Sequence, residues 1–220
     1  MKNFTNKLLS VVILITFLSI NVSAQTNVSG GIYSNATWTK ANSPYIVIDT
    51  IVVFPGVTLI IEAGVTVKFE ADKQLEMRHA SLIAIGNASD SILFTSNSNT
   101  PTPGIWDAIY INGGAMTSQF DYCNFKYATN AIWLNSDSAL IIKNSVFDSN
   151  LNGISSTPFI FSGAKILLET SDFTNNTAFG LDVSKATNIH PMIINNCNFF
   201  GNQTGLHGYG LITNCVCKFN

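Results

Sequence analysis

One short phrase recurs five times in the second half of the chain: a small residue, any residue, then an aromatic residue or a cysteine. An asparagine usually follows three positions later. The five copies begin at Cys123, Ser145, Ser171, Cys197 and Cys215. Successive copies start 22, 26, 26 and 18 residues apart, which is the length of one supersecondary unit in a solenoid. A chain with this period is expected to stack equivalent coils along one axis.

The rest of each unit consists of short apolar segments. An apolar residue stands three positions before each small residue: Phe120, Ile142, Leu168, Ile194 and Ile212. A second apolar segment opens each unit, and these openings lie 23, 22, 27 and 25 residues apart. All segments alternate and are bounded by Asn, Gly, Ser or Thr, which is typical of strands between turns. About three strands per unit, with no room for a crossover helix, predict an all-β fold, a single-stranded parallel β-helix.

Stacked coils would place equivalent residues about 4.8 Å apart, so that like side chains form ladders. Two asparagine columns are predicted at turns: Asn150, Asn176, Asn202 and Asn220, and the broken column Asn144, Asn196 and Asn214. Asparagine tolerates left-handed backbone, and stacked amides can pair along the axis. The cysteines of the repeat share a column with Ser145 and Ser171, whereas Cys217 stands in the Phe column. Small buried residues are therefore expected there, with a Cys197–Cys215 disulfide as the alternative.

Several segments of the chain resemble a known family. They are residues 37–39, 43–47, 56–69, 94–97 and 103–106. Over residues 37–220 the chain resembles secreted bacterial right-handed parallel β-helix proteins, the pectin-lyase-like superfamily. That family usually has Gly-Asp-Trp-Gly where this chain has Ile105 before the Trp and Asp107 after it. The resemblance implies a right-handed coil, and it is less specific for function because one fold hosts many activities.

Three regions are predicted along the chain. Residues 1–24 contain Lys2 and Lys7, an uncharged apolar stretch and small residues before position 25, which indicates a secretory signal peptide. Residues 25–44 are expected to form an N-terminal cap, and residues 45–220 the β-helix. The last unit stops abruptly, so we expect the β-helix to continue in a longer protein. The expected location is secreted or on the cell surface of a bacterium, with no stable membrane insertion of the mature chain.

The charge and composition of the chain indicate which classes of partner are not expected. The chain carries a formal net charge of −2, one arginine and no basic run, so nucleic acid is not an expected partner. Only 11% of residues are charged and 46% are hydrophobic, which provides material for a continuous apolar core. The cysteine spacing gives no zinc pattern. No metal and no cofactor are expected.

Strand alternation predicts which residues face outward. Ile109, Ile132, Ile154, Leu181 and Leu206 are assigned to the interior, so the next residue of each segment points out. This gives a first outward column: Tyr110, Trp133, Ser155, Asp182 and His207. Two residues further on is a second: Asn112, Asn135, Thr157, Ser184 and Tyr209. Aromatic rings beside amides and hydroxyls suit a sugar chain, and Trp133 and Tyr110 are the leading candidates; ordinary exposed residues of a sheet are the alternative.

Catalysis is not predicted from these columns. They contain one carboxylate, Asp182, and one histidine, His207, whereas a calcium-dependent lyase needs clustered carboxylates and a glycosidase needs two. Arg78 is expected to lie away from the columns. Residues 205–208 resemble the Gly-His-Gly of polygalacturonases, whose paired-Asp motif is missing. The prediction is a non-catalytic module that binds polysaccharide or a surface glycan, or an adhesin-like scaffold. The alternatives are the N-terminal portion of a polysaccharide lyase or glycosidase, or a structural stalk.

Overall fold

A computed structural model describes residues 25–114, 116–135, 139–156, 166–184, 192–208 and 210–218. The predicted signal peptide, residues 1–24, lies outside these ranges. The described chain is a parallel β-solenoid of about seven turns, and its one helical element is the short 3-10 helix Lys40–Asn42. The all-β solenoid predicted from the repeat is therefore confirmed.

The described strands are short and follow one another with few residues between them. In chain order they are β1 (Thr26–Ile32), β2 (Ala36–Trp38), β3 (Tyr45–Val53), β4 (Thr58–Ile61), β5 (Thr66–Phe69), β6 (Leu75–Arg78), β7 (Ser81–Ile85), β8 (Ile92–Ser96), β9 (Trp106–Asn112), β10 (Thr117–Asp121), β11 (Cys123–Lys126), β12 (Ala128–Asn135), β13 (Ala139–Lys143), β14 (Val146–Asp148), β15 (Asn152–Ser156), β16 (Ile166–Glu169), β17 (Asp172–Thr174), β18 (Phe179–Asp182), β19 (Ile193–Asn195), β20 (Asn198–Phe200), β21 (Thr204–His207), β22 (Leu211–Thr213) and β23 (Val216–Lys218).

Every third strand pairs in parallel with its equivalent in the next coil, which gives the solenoid three faces. The first face runs β6-β9-β12-β15-β18-β21, the second β5-β8-β11-β14-β17-β20-β23, and the third β2-β4-β7-β10-β13-β16-β19-β22. The long strand β3 joins the first two faces, because Tyr45–Val47 pair with β5 and Ile51–Val53 pair with β6. Each coil thus contributes one strand to each face, as the length of the repeat predicted.

A ladder of phenylalanine rings fills the interior behind the second face. Its members are Phe94, Phe125, Phe147, Phe173 and Phe199, all buried. Successive rings are nearly parallel, with centroids 4.9, 4.6, 4.7 and 4.8 Å apart. These distances equal the spacing between neighbouring strands, so each ring stacks on its equivalent in the next coil. Cys217 pairs with Phe199 and extends this column, as predicted.

A second ladder consists of buried asparagines at the corner between the second and first faces. Asn176 Oδ1 accepts hydrogen bonds from the backbone N and the Nδ2 of Asn150, both at 3.1 Å. Asn202 Oδ1 does the same for Asn176, at 3.0 and 2.7 Å. Each amide also donates to a backbone carbonyl, as Asn176 does to Phe147 O at 3.0 Å. The predicted ladder is confirmed for these three residues; Asn220 lies outside the described residues.

The corner between the third and second faces holds the small residues of the repeat. The residue before each of them has a positive φ: Tyr122, Asn144, Thr170, Asn196 and Asn214. Asparagine adopts this left-handed conformation most easily among the non-glycine residues, which explains the broken asparagine column. Ser145 Oγ accepts a hydrogen bond from Cys123 N at 3.1 Å. All four cysteines of the chain are free thiols, so these positions are small ladder residues and form no disulfide.

Glycines open the strands of the first face where two coils approach closely. Gly153 lies opposite Gly180, and a Cβ added to Gly153 would stand 2.3 Å from Gly180 O. A Cβ on Gly180 would likewise stand 2.5 Å from Gly205 O. Any side chain at Gly153 or Gly180 would collide with the backbone of the next coil. Glycine at these positions therefore lets the three coils stack closely beneath the first face.

The N-terminal strands continue the ladders of the solenoid. β1 pairs in parallel with β3, with a register shift between Val28 and Gly30, and β2 pairs in parallel with β4. Trp38 at the end of β2 is buried and stacks on Tyr45, with ring centroids 4.8 Å apart. The separate cap expected over residues 25–44 stays a prediction.

Replacing Asn176 by alanine should destabilise the fold. The substitution leaves Phe147 O and Asn150 N without their amide partners in the interior, at a cost of about 3 kcal/mol in the free energy of unfolding. The midpoint of urea denaturation measures the change. Asn198→Ala is the control, because Asn198 is exposed and its amide donates a hydrogen bond of 2.8 Å to Asp172 on the surface. Equal shifts of the two midpoints would contradict a stabilising ladder.

Candidate functional site

The predicted outward column forms an unbroken row across the first face. Register pairs link Tyr110 to Trp133, Trp133 to Ser155, Ser155 to Asp182 and Asp182 to His207. The residues before them point inward as predicted: four are fully buried, and Leu206 packs against the core while half-buried. Five chemically different side chains thus stand on neighbouring strands, one strand spacing apart, roughly 4.8 Å.

Two aromatic rings stack at one end of the row. The rings of Tyr110 and Trp133 have centroids 4.7 Å apart and are tilted by 30°. Asn135 Nδ2 donates to Tyr110 Oη at 2.7 Å and lies 3.4 Å from Asn112 Oδ1. The phenol and two residues of the second column therefore form one hydrogen-bonded group, which fixes the orientation of the Tyr110 ring.

This group continues into residues that the sequence analysis did not assign to the face. Asn112 Nδ2 donates to Glu76 Oε1 at 2.9 Å, and Glu76 pairs in register with Tyr110. Arg78 Nε and Nη2 donate to the two carboxylate oxygens of Glu76 at 2.9 and 2.8 Å. The expectation that Arg78 lies away from the outward columns is wrong, because β6 precedes β9 on the same face and places Arg78 opposite Asn112.

The ion pair changes the titration of Glu76. The bidentate hydrogen bonds from Arg78 hold the pKa of Glu76 below its usual range, although burial of the carboxylate opposes this shift. The side chain of Glu76 is 7% exposed and that of Arg78 45% exposed. The negative charge of the Glu76 carboxylate is thus balanced by Arg78. The same carboxylate accepts a hydrogen bond that positions Asn112 and, through it, Asn135.

The row opens into a cleft above β15. A volume of about 290 Å³ is lined by Asn130, Trp133, Asn152, Ser155, Ser156, Phe179 and Asp182. The cleft exists because Ser155 is small and stands between larger side chains on β12 and β18. The hydroxyl of Ser155 donates to Asn130 Oδ1 at 2.6 Å, and Asn152 Nδ2 donates to the same oxygen at 3.0 Å. These bonds fix the polar floor of the cleft.

The far wall of the cleft contains the carboxylate predicted from the sequence, and the predicted histidine stands beside that carboxylate. Asp182 Oδ1 accepts hydrogen bonds from the hydroxyl of Ser184 at 2.6 Å and from its backbone N at 3.1 Å. His207 Nδ1 lies 3.3 Å from the same oxygen, and its ring stacks on Phe179 with centroids 5.7 Å apart. The structure therefore brings Asp182 and His207 together and adds Phe179, which the sequence analysis did not select.

The second outward column is placed in part. Asn112 and Asn135 pair in register beside the aromatic rings, and Ser184 binds Asp182 as described. Thr157 and Tyr209, the other members of that column, lie outside the described residues. The amides and the hydroxyl that are described all take part in hydrogen bonds along one edge of the first face.

One acidic pair lies near the face but outside the cleft. Burial raises the pKa of Asp107, and the like charge of Asp72 adds to the shift. Asp107 stands three residues before Tyr110 on β9, and neither carboxylate lines the cleft. Across the described residues, no group of three or more His, Cys, Asp or Glu side chains could hold a metal ion.

Glu76→Gln should weaken the fold in a pH-dependent way. A carboxylate whose pKa is lowered on folding contributes stability above its unfolded pKa of about 4.3, and this contribution disappears as the pH falls through the lower folded pKa. We expect the variant to lose about 1–2 kcal/mol near pH 7 and much less near pH 3, since Arg78 is partly exposed to solvent.

Urea denaturation at the two pH values measures this loss. Glu70→Gln is the control, because Glu70 is exposed and accepts a single bond from Asn97 at 2.8 Å. A loss of equal size at both pH values would show that the ion pair with Arg78 does not stabilise the folded state.

Comparison with known proteins agrees with this architecture. Residues 30–132 match the family model of the pectate-lyase like beta helix domain. No curated protein and no solved structure matches the chain. Within the described ranges, no helix has the length and apolar character needed to span a membrane. The three-faced parallel solenoid and the match of residues 30–132 to the pectate-lyase like beta helix domain agree with the parallel β-helix resemblance inferred from the sequence.

Proposed function

We propose that this chain is a secreted or cell-surface bacterial module that binds polysaccharide through the first face of its β-helix without cleaving it. The observation that carries the proposal is the cleft above β15, with the Trp133 ring on one side and a hydrogen-bonded polar floor. Signal-peptide-like residues 1–24 support export of the chain.

The shape of the face suits a chain-like ligand. The row from Glu76 to His207 crosses five strand spacings, or about 24 Å. Along it, the adjacent rings of Tyr110 and Trp133 are followed by a hydroxyl and a carboxylate group, a combination that stacks on pyranose rings and pairs with their hydroxyls. The hydrogen bonds of Asn135 and Asn130 hold these groups in place before a ligand arrives, which reduces the entropy lost on binding.

The separation of the two carboxylates in the outward row favours binding over hydrolysis, and the closer pair Asp72 and Asp107 does not line the cleft. Glu76 and Asp182 stand four strand spacings apart in the row, about 19 Å, whereas the paired carboxyl groups of glycosidases lie about 5–9.5 Å apart. Glu76 is also engaged by Arg78. The alternative is a polysaccharide lyase or glycosidase. Release of reducing ends or unsaturated products from a bound polysaccharide would establish that activity.

A structural stalk or an adhesin-like scaffold is the other alternative. A stalk would be favoured if the loop of residues 97–104 covered the face. Gly104 O accepts a hydrogen bond from Thr129 Oγ1 at 3.1 Å, and none of the residues that line the cleft belongs to this loop. The accessible cleft supports a binding module.

Trp133→Ala should lower the affinity for any glycan that the protein binds on a glycan array. We expect a loss of about tenfold or more, because truncating a buried aromatic contact in a binding site costs about 1.4 kcal/mol or more. Affinity is measured by titration calorimetry with the best ligand from the array. The matched control is Phe200→Ala, which removes an aromatic side chain that is 46% exposed on the second face.

Two results would contradict the proposal. The first is an array without binding by the folded protein. The second is binding that Phe200→Ala reduces as much as Trp133→Ala does, which would place the ligand elsewhere on the solenoid.

A further inference from the structure

The cleft above β15 places an aromatic face and a carboxylate on opposite sides of a small residue. In the outward row, Ser155 stands between Trp133 on β12 and Asp182 on β18. A group held above Ser155 is therefore about one strand spacing, roughly 4.8 Å, from each of them. This is within the distance at which a cation interacts with an aromatic ring and close to the distance of an ion pair.

Among the described residues, no aromatic ring stacks on the face of Trp133 that borders the cleft. Tyr110 stacks on the opposite side of Trp133, with a centroid distance of 4.7 Å. Phe179 is the second aromatic residue of the lining and stands diagonally across β15, with His207 stacked behind it. Two aromatic rings thus border one cleft, and the free face of Trp133 favours a positively charged group over a negatively charged one.

The polar floor of the cleft presents an acceptor. Because the Ser155 hydroxyl donates its hydrogen to Asn130 Oδ1 at 2.6 Å, its oxygen lone pairs are left for a donor from the ligand. A ligand group with N–H donors would satisfy this oxygen.

The carboxylate of Asp182 keeps one oxygen for the ligand. The bonds from Ser184 and the contact with His207 all involve Oδ1, and no described residue donates to Oδ2. The side chain is 16% exposed. None of the described lining residues is a lysine or an arginine, so no such cation within the cleft neutralises Asp182. His207 stands behind the carboxylate, on β21.

We infer that the cleft binds the free ammonium group of an amino sugar within a glycan chain. The inference rests on the proposed function and specifies its ligand. A primary ammonium above Ser155 donates to Asp182 Oδ2 and to Ser155 Oγ while it faces the Trp133 ring. An N-acetylated sugar lacks the charge, and a uronate is repelled by Asp182, so a glycan with free amines is selected over neutral and acidic chains.

Titration calorimetry with two probes of equal length tests the inference. The probes are a β-1,4-linked glucosamine hexamer and its fully N-acetylated counterpart, both in a mildly acidic buffer in which the sugar amines are protonated. We expect the amine hexamer to bind at least about tenfold more tightly, with the preference reduced in high salt. Asp182→Asn should abolish this preference and Asp182→Glu should retain part of it.

Asp172→Asn is the matched control, since the Asp172 carboxylate lies on the second face, where it accepts a hydrogen bond of 2.8 Å from Asn198. It should leave both affinities unchanged. Equal binding of the two hexamers, with both weakened by Trp133→Ala, would overturn the ammonium site and leave the glycan-binding function standing. Absence of binding by both hexamers would also overturn the ammonium site, and the glycan array then decides the proposed function separately. A preference that survives in Asp182→Asn would assign the amine to another part of the chain.

Discussion

In-register parallel pairing of one coil on the next is the constraint on which the rest of this molecule depends. Because side chains alternate between the interior and the surface, a slip of one residue would turn every apolar residue outward. Two buried ladders oppose such a slip. Stacked rings such as Phe147 on Phe173 must meet face to face, and the Asn176 amide must meet both Asn150 and Asn202. Any other register would leave buried amides without partners, so the interior fixes the position of every outward side chain.

The first face acquires its shape from this rigid stacking. Neighbouring outward side chains are held one strand spacing apart whatever their size, so a small residue between large ones leaves a gap that the backbone cannot close. Ser155 between Trp133 and Asp182 is such a residue. The cleft is therefore a consequence of side-chain size in a single column, and it does not require a loop or a moving segment to form it.

The repeat made the interior and the first outward row predictable, because both follow from a spacing that recurs in the second half of the chain. The first coils lack that phrase, and Glu76 and Arg78 were therefore not assigned to the face they occupy. Phe179 was not predicted for a different reason: it lies three residues before Asp182, outside the two predicted outward columns. Its contact with His207 depends on ring orientation, which the residue pattern does not specify.

Separation of interior and surface also explains how one coil can carry a site that its neighbours lack. The ladder residues Phe173 and Asn176 contribute to stability through contacts with equivalent residues, whereas Asp182, a few residues later in the same coil, makes polar contacts at the surface with Ser184 and His207. A substitution at the outward position changes local charge and shape while the stacked interior remains intact. The interior therefore repeats because it must match its own copy, and the first face varies because each outward residue needs only to fit beside its two neighbours.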